Sequence, residues 1–141
     1  MRRVSFSAYG HENVVGDHRT TVEITSEDFL TPQGTCIVGI RSTMTLSNLD
    51  DDIKKMAASG DTRITLKLSV GRITEVITGW GSPGLSYSDS TSMVARTSDY
   101  ECGRTLLVRA DKAASGLSRE LVAQLQTPNI PIECELAFTT E

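Results

Sequence analysis

The chain has 141 residues, of which 38% are hydrophobic and 23% charged, and its net charge is −4 at pH 7. These values exclude a disordered chain, and apolar runs as short as Leu106-Leu107-Val108 exclude a membrane-spanning helix. Residues 1–70 carry eight basic and nine acidic side chains and residues 71–141 six and nine, with only three Phe, three Tyr and one Trp, so nucleic acid is not expected as a partner.

Val4, Phe6 and Ala8 alternate with Arg3, Ser5 and Ser7, the period-two pattern of a half-buried strand, which Gly10 stops. Thr20 to Thr25 is β-branched and alternating, and the turn Thr31-Pro32-Gln33-Gly34 leads into a third strand over 35–40. Leu46, Leu49, Ile53, Met56 and Ala57 recur at helical spacing, with Ser47 and Asp50 as a capping box, Asp51 and Asp52 at the positive end of the dipole, and Gly60 as the stop. Ile64, Leu66, Leu68 and Val70 then alternate as a fourth strand.

The second half repeats this order. Strands are expected from Arg72-Ile73-Thr74 to Gly79, over Ser92 to Arg96 and over Thr105 to Arg109. Leu117, Leu121, Val122 and Leu125 share a helical face that Thr127-Pro128 ends, and Ile132, Cys134, Leu136 and Phe138 alternate in the last strand. Each half reads βββαβ. Residue matches support a repeat: Arg3-Val4-Ser5 over Arg72-Ile73-Thr74 and Gly10 over Gly79 at an offset of 69, Asp28-Phe29 over Asp99-Tyr100 at 71, and Leu49, Ile53, Ile64 and Leu68 over Leu117, Leu121, Ile132 and Leu136 at 68. The expected fold is therefore α+β and β-rich: a single domain over 1–141 in which two pseudo-symmetric repeats, 1–70 and 71–141, share one core with two helices and curl toward a barrel. A groove is expected between the halves, bordered by loops 10–19 and 79–91.

Three cysteines, Cys36, Cys102 and Cys134, form neither an even set nor a C-x-x-C pair, so reduced thiols are the default. Cys36 and Cys134 sit at apolar strand positions and read as core, whereas Cys102-Gly103 lies in a turn. The N-terminus Met1-Arg2-Arg3-Val4 lacks the apolar segment of a signal peptide, and the chain reads as cytoplasmic.

The stretch Gly10-His11-Glu12-Asn13-Val14 through His18, Thr20 and Thr21, with Arg104-Thr105 and Arg109-Ala110-Asp111-Lys112-Ala113-Ala114, resembles a conserved archaeal family known only as a domain of unknown function. The more specific part is the Ala-Asp-Lys-Ala-Ala run followed by Leu117 and Arg119-Glu120-Leu121-Val122. The resemblance implies an archaeal, intracellular, β-rich protein and implies no activity.

His11 and His18 are the only histidines and share one loop with Glu12 and Asp17, which suits a divalent metal or acid–base work, although H-x6-H matches no standard ligand spacing and hydrogen-bonded loop histidines explain them equally. Asp111 and Lys112 follow a strand and precede a helix; with Arg104 they form a place to hold an anion, or they pair with one another. Gly79-Trp80-Gly81-Ser82-Pro83-Gly84 lacks the Lys-Ser/Thr and the helix of a phosphate loop and reads as a turn carrying an exposed aromatic. The leading reading is a binding module for a small polar or anionic ligand between the repeats, using His11, Asn13, His18, Trp80, Arg104, Asp111 and Lys112. A second is a hydrolase- or lyase-like enzyme with His11 or His18 as acid–base group or metal ligand and Asp111 as partner. A third is an assembly protein whose strand edges pair into a homo-oligomer.

Overall fold

The period-two segments become strands and the two helical stretches become short helices in the computed structural model, which describes residues 1–140. In chain order these are β1 (Arg2–Tyr9), β2 (Thr21–Thr25), β3 (Ile37–Gly39), α1 (Asp51–Ala57), β4 (Arg63–Val70), β5 (Ile73–Trp80), β6 (Ser92–Arg96), β7 (Thr105–Leu107), α2 (Arg119–Leu125) and β8 (Pro131–Thr139). A one-turn 3-10 helix precedes each α-helix, at Leu46–Asn48 and Ala114–Gly116. The expected cap at Ser47 therefore moves. Thr45 and Asn48 form the box of the 3-10 turn, Asp50 caps α1 by accepting the Ile53 N–H at 2.9 Å, and Ser118 caps α2. Seven-residue helices are too short to persist alone, so burial of Ile53, Ala57, Leu121, Val122 and Leu125 holds them, at roughly 1.5–3 kcal/mol for each large aliphatic side chain.

The strands form two four-stranded sheets, one in the order β1-β8-β4-β5 and the other β3-β2-β6-β7. Every pair in the first is antiparallel; in the second, β2–β6 is antiparallel, whereas β2–β3 and β6–β7 are parallel. The sheets touch at both sides through single bridges, Tyr9 to Ile40 and Trp80 to Val108, without merging into a closed barrel. One apolar cluster fills the space between them, drawing on both sheets, both helices and Val14, Leu85 and Tyr87 from the connections. No helix among the described residues is long and apolar enough to cross a membrane.

The two halves make the same backbone hydrogen bonds. Tyr9 to Ile40, Gly10 to Ile130 and His11 to Leu125 correspond to Trp80 to Val108, Gly81 to Thr62 and Ser82 to Ala57. The offset is 71 residues up to the end of the β2 segment and 68 from Thr35 onward, so the second half is three residues shorter in the β2–β3 type of connection. The first-strand offset of 69 expected from the sequence is thus corrected to 71, and Gly10 matches Gly81 rather than Gly79. The two offsets differ by two residues, which leaves every side chain on the same face of the strand, and apolar patterning alone cannot tell them apart. Under the corrected offsets Lys67 and Glu135 exchange places, as do Glu23 and Val94, so the correspondence is a two-fold rotation passing between these cross-strand pairs.

The halves are interlocked. β1 pairs with β8 and β5 with β4, and each β1–β2 type of connection lies along the other half's helix. A Cβ on Gly10 would meet the Leu125 and Thr127 carbonyls at 2.5 and 2.6 Å, and one on Gly81 would meet the Ala57 carbonyl at 2.5 Å. Only glycine fits at either contact.

Candidate functional site

The first strap, residues 10–20, runs antiparallel along α2. His11 donates its backbone N–H to the Leu125 carbonyl at the end of α2, and the His18 carbonyl receives the Ser115 N–H before its start. The two histidines therefore lie at opposite ends of a helix about 10 Å long. Each ring is engaged at Nδ1: His11 accepts the Asn13 N–H at 2.9 Å, and His18 accepts the N–H groups of Thr20 and Thr21, both at 3.2 Å. A nitrogen that accepts carries no proton, so the neutral rings hold theirs on Nε2. The Asn13 amide donates to the Leu30 carbonyl at 2.8 Å, tying the strap to the β2–β3 connection. Among the described residues, no carboxylate lies within 4.0 Å of either ring and no group of three His, Cys, Asp or Glu suited to a metal occurs.

The other expected site residues are dispersed. Asp111 accepts the Thr78 N–H at 3.0 Å and returns its own N–H to the Thr78 carbonyl at 2.9 Å, so its carboxylate fastens the segment after β7 to β5. Lys112 pairs with Glu75 at 3.6 Å. Arg104 is exposed beside β7, its carbonyl taking the Val94 N–H. Trp80 is exposed at the corner of the first sheet, in a shallow hollow of about 260 Å³ with Asp61, Arg63 and Thr139. The structure brings neither histidine to Asp111, and the seven residues do not line one groove.

The second sheet's outer face holds two thiols. Cys36, expected in the core, is half-exposed and donates to Glu23 Oε1 at 3.4 Å, beside the Thr21 hydroxyl that also touches His18 Nδ1. Burial, and then the Glu23 carboxylate, push its pKa up to about 11, so it stays a thiol. Burial also raises Cys102, but the Thr105 hydroxyl, the Arg104 N–H and the Arg96 guanidinium together outweigh it and leave that thiol below its ordinary value. Arg96 also covers the Tyr100 ring at 4.9 Å. The thiols flank opposite edges of the sheet, three strand spacings or about 14 Å apart, beyond disulfide reach. Cys134 is buried, with its pKa pushed up to about 12 by that burial.

A further concavity lies elsewhere, on the outer face of the first sheet: an open groove of about 560 Å³. The strand register explains it. Ser5, Glu135 and Lys67 stand in one cross-strand row and Ser7, Glu133 and Ser69 in the next, across β1, β8 and β4. Thr43 forms the wall at the β1 edge, giving its N–H to the Ser7 carbonyl at 2.9 Å and accepting the Ser7 N–H at 3.0 Å. Lys67 Nζ stands 3.9 Å from Glu135 Oε1, too long for a hydrogen bond, and both side chains remain partly exposed. The rotation-related region has Val76 for Ser5, Ala137 for Ser69, Thr65 for Glu133 and Asp111 for Thr43, so the hydroxyl-rich groove occurs on one side of the axis alone. Ser5, Ser7, Lys67, Ser69, Glu133 and Glu135 occupy the polar positions of period-two strands. The alternation was the available signal, since it shows which side chains share a face, but it does not show that the face is concave.

The chain matches the model of the family described as Domain of unknown function (DUF371) over residues 6–139. It is also similar to an uncharacterized protein of Methanocaldococcus jannaschii, 39% identical over 119 residues that cover 84% of this chain and 87% of that protein.

Proposed function

We propose that this chain, which belongs to the DUF371 family of unknown function, is a binding module for a small polar ligand carrying an acidic group. The ligand lies in the groove between the halves on the first sheet. The observation that carries this reading is the pair of rows Ser5-Glu135-Lys67 and Ser7-Glu133-Ser69, which places one ammonium, two carboxylates and three hydroxyls around a single concavity. Lys67 receives the anionic group, because at 3.9 Å its bond to Glu135 is loose enough to be exchanged. The hydroxyls and Glu133 and Glu135 then take the ligand's own hydroxyl or ammonium donors.

The test is a titration of 15N-labelled protein with glycerol 3-phosphate, a small hydroxylated anion, and in parallel with inorganic phosphate. Amide shifts should cluster at Ser5, Ser7, Lys67 and Glu135 and disappear in Lys67→Ala. Shifts centred on Arg104 or the first strap, or no saturable shift with either compound, would count against the groove. The same reading treats residues 1–141 as one domain of two repeats, supported by the shared apolar cluster and the matching backbone hydrogen bonds.

A further inference from the structure

The first sheet ends in β1 on one side and β5 on the other, and the two edges are closed over half their length only. Ser7 and Tyr9 turn their backbone groups away from β8, toward Thr43 and Ile40; Thr78 and Trp80 do the same toward Asp111 and Val108. Alternation along an unbroken antiparallel ladder then points the N–H and C=O groups of Arg3 and Ser5, and of Thr74 and Val76, outward as well. No backbone partner meets these four residues on that side among the described residues.

The two open edges differ most in charge at the inward-facing position between these residues. β5 carries Glu75 on the inward face, held by Lys112 at 3.6 Å, and an inward charge is a standard defence of an edge: a second β5 laid alongside would set Glu75 against Glu75. At the same place β1 has Val4, packed against the core. We propose that β1 is the docking edge for a second copy of this chain, the two β1 strands pairing antiparallel about a two-fold axis at Val4. Arg3 of each copy then exchanges both backbone bonds with Ser5 of the other, and Val4 meets Val4. On the outer face, Arg3 lies across the small Ser5 from the other copy's Glu135, since Glu135 is Ser5's neighbour on β8. Arg3 is free for that role: it is exposed, bonds only Met1 Sδ and has no ionic partner among the described residues. The bond from Thr43 to Ser7 limits the pairing to the first residues of the strand and closes the assembly at two copies, because β5 cannot propagate it.

Light scattering and sedimentation of the full chain test this. The expected mass is twice 15.3 kDa. Ser5→Pro removes an outward N–H and no bond to β8, and Val4→Glu gives β1 the charge that β5 carries; each should yield the monomer mass with an unchanged circular dichroism spectrum. Thr74→Pro, at the β5 edge, should leave the dimer intact. A wild-type chain that stays monomeric up to its solubility limit overturns the proposal, as does a dimer that survives both β1 variants or dissociates in Thr74→Pro.

Discussion

His18 and Asp89 stand at equivalent points of the two straps and do the same work with different chemistry. His18 Nδ1 receives the N–H groups two and three residues ahead, from Thr20 and Thr21; Asp89 Oδ1 receives those of Thr91 and Ser92, both at 2.7 Å. The carbonyls of both residues accept a bond from the start of the other half's 3-10 turn, from Ser115 and Ser47. An imidazole that drew notice as a catalytic candidate thus performs the turn-forming job that an aspartate performs elsewhere in the same molecule. A rare residue type is weaker grounds for a site than its counterpart's bonds are for a structural role.

The sharpest break of the equivalence would come at the interlocking glycines. Gly10→Ala and Gly81→Ala each drive a Cβ into helix-end carbonyls, and each should cost about 3 kcal/mol or prevent folding, read by urea denaturation. If only one is damaging, the two contacts are not equivalent. Next, His18→Ala and Asp89→Ala should each lose roughly 1–2 kcal/mol, while His18→Asp should recover most of the loss because a carboxylate accepts the same two N–H groups. A His18→Asp chain as unstable as His18→Ala would separate the straps.

A smaller effect, of opposite sign, is expected at Thr62. Its hydroxyl is buried without a hydrogen-bond partner among the described residues, whereas the corresponding residue of the second half is the apolar Ile130. Thr62→Val should therefore raise stability by about 1 kcal/mol, seen as a higher denaturation midpoint at unchanged slope.

The last contrast is local and concerns pH. The Ile53 N–H, and then Arg2, hold the Asp50 carboxyl below its usual range, whereas Ser118, the cap of α2, does not titrate. A carboxyl lowered on folding stabilises above its ordinary value and loses that contribution as pH falls through its lower folded value. The Ile53 amide resonance should therefore move on acidification below the usual aspartate range while that of Leu121 stays still. Equal movement of both would assign the change to global unfolding.

All ten major elements were legible because alternation and helical spacing report burial, which is what fixes them. The cap of the first helix lies three residues beyond the expected Ser47, since Ser47 and Asp50 both fit a cap by type and only the intervening 3-10 turn decides between them. The site fared less well for a physical reason. Asp111, Lys112 and the histidines are polar residues in loops, and a loop side chain can serve its own backbone or a ligand with the same atoms; here Asp111 is bound to Thr78 and each Nδ1 to a nearby N–H. The groove, by contrast, depends on pairing between β1, β8 and β4, whose order no local pattern specifies.

The crossing of the halves also constrains how the chain can fold. β4 and β5 join through the short turn at Gly71, whose φ of +58° suits glycine, and theirs is the one pairing between the halves that is local in sequence. The β1–β8 and β4–β8 ladders both need the last strand, so most of the first sheet must wait until nearly the whole chain is available. Pulse-labelled hydrogen exchange during refolding should find the β4–β5 hairpin protected first and β1 together with β8 last, and a nascent chain halted before Pro131 should lack a stable fold.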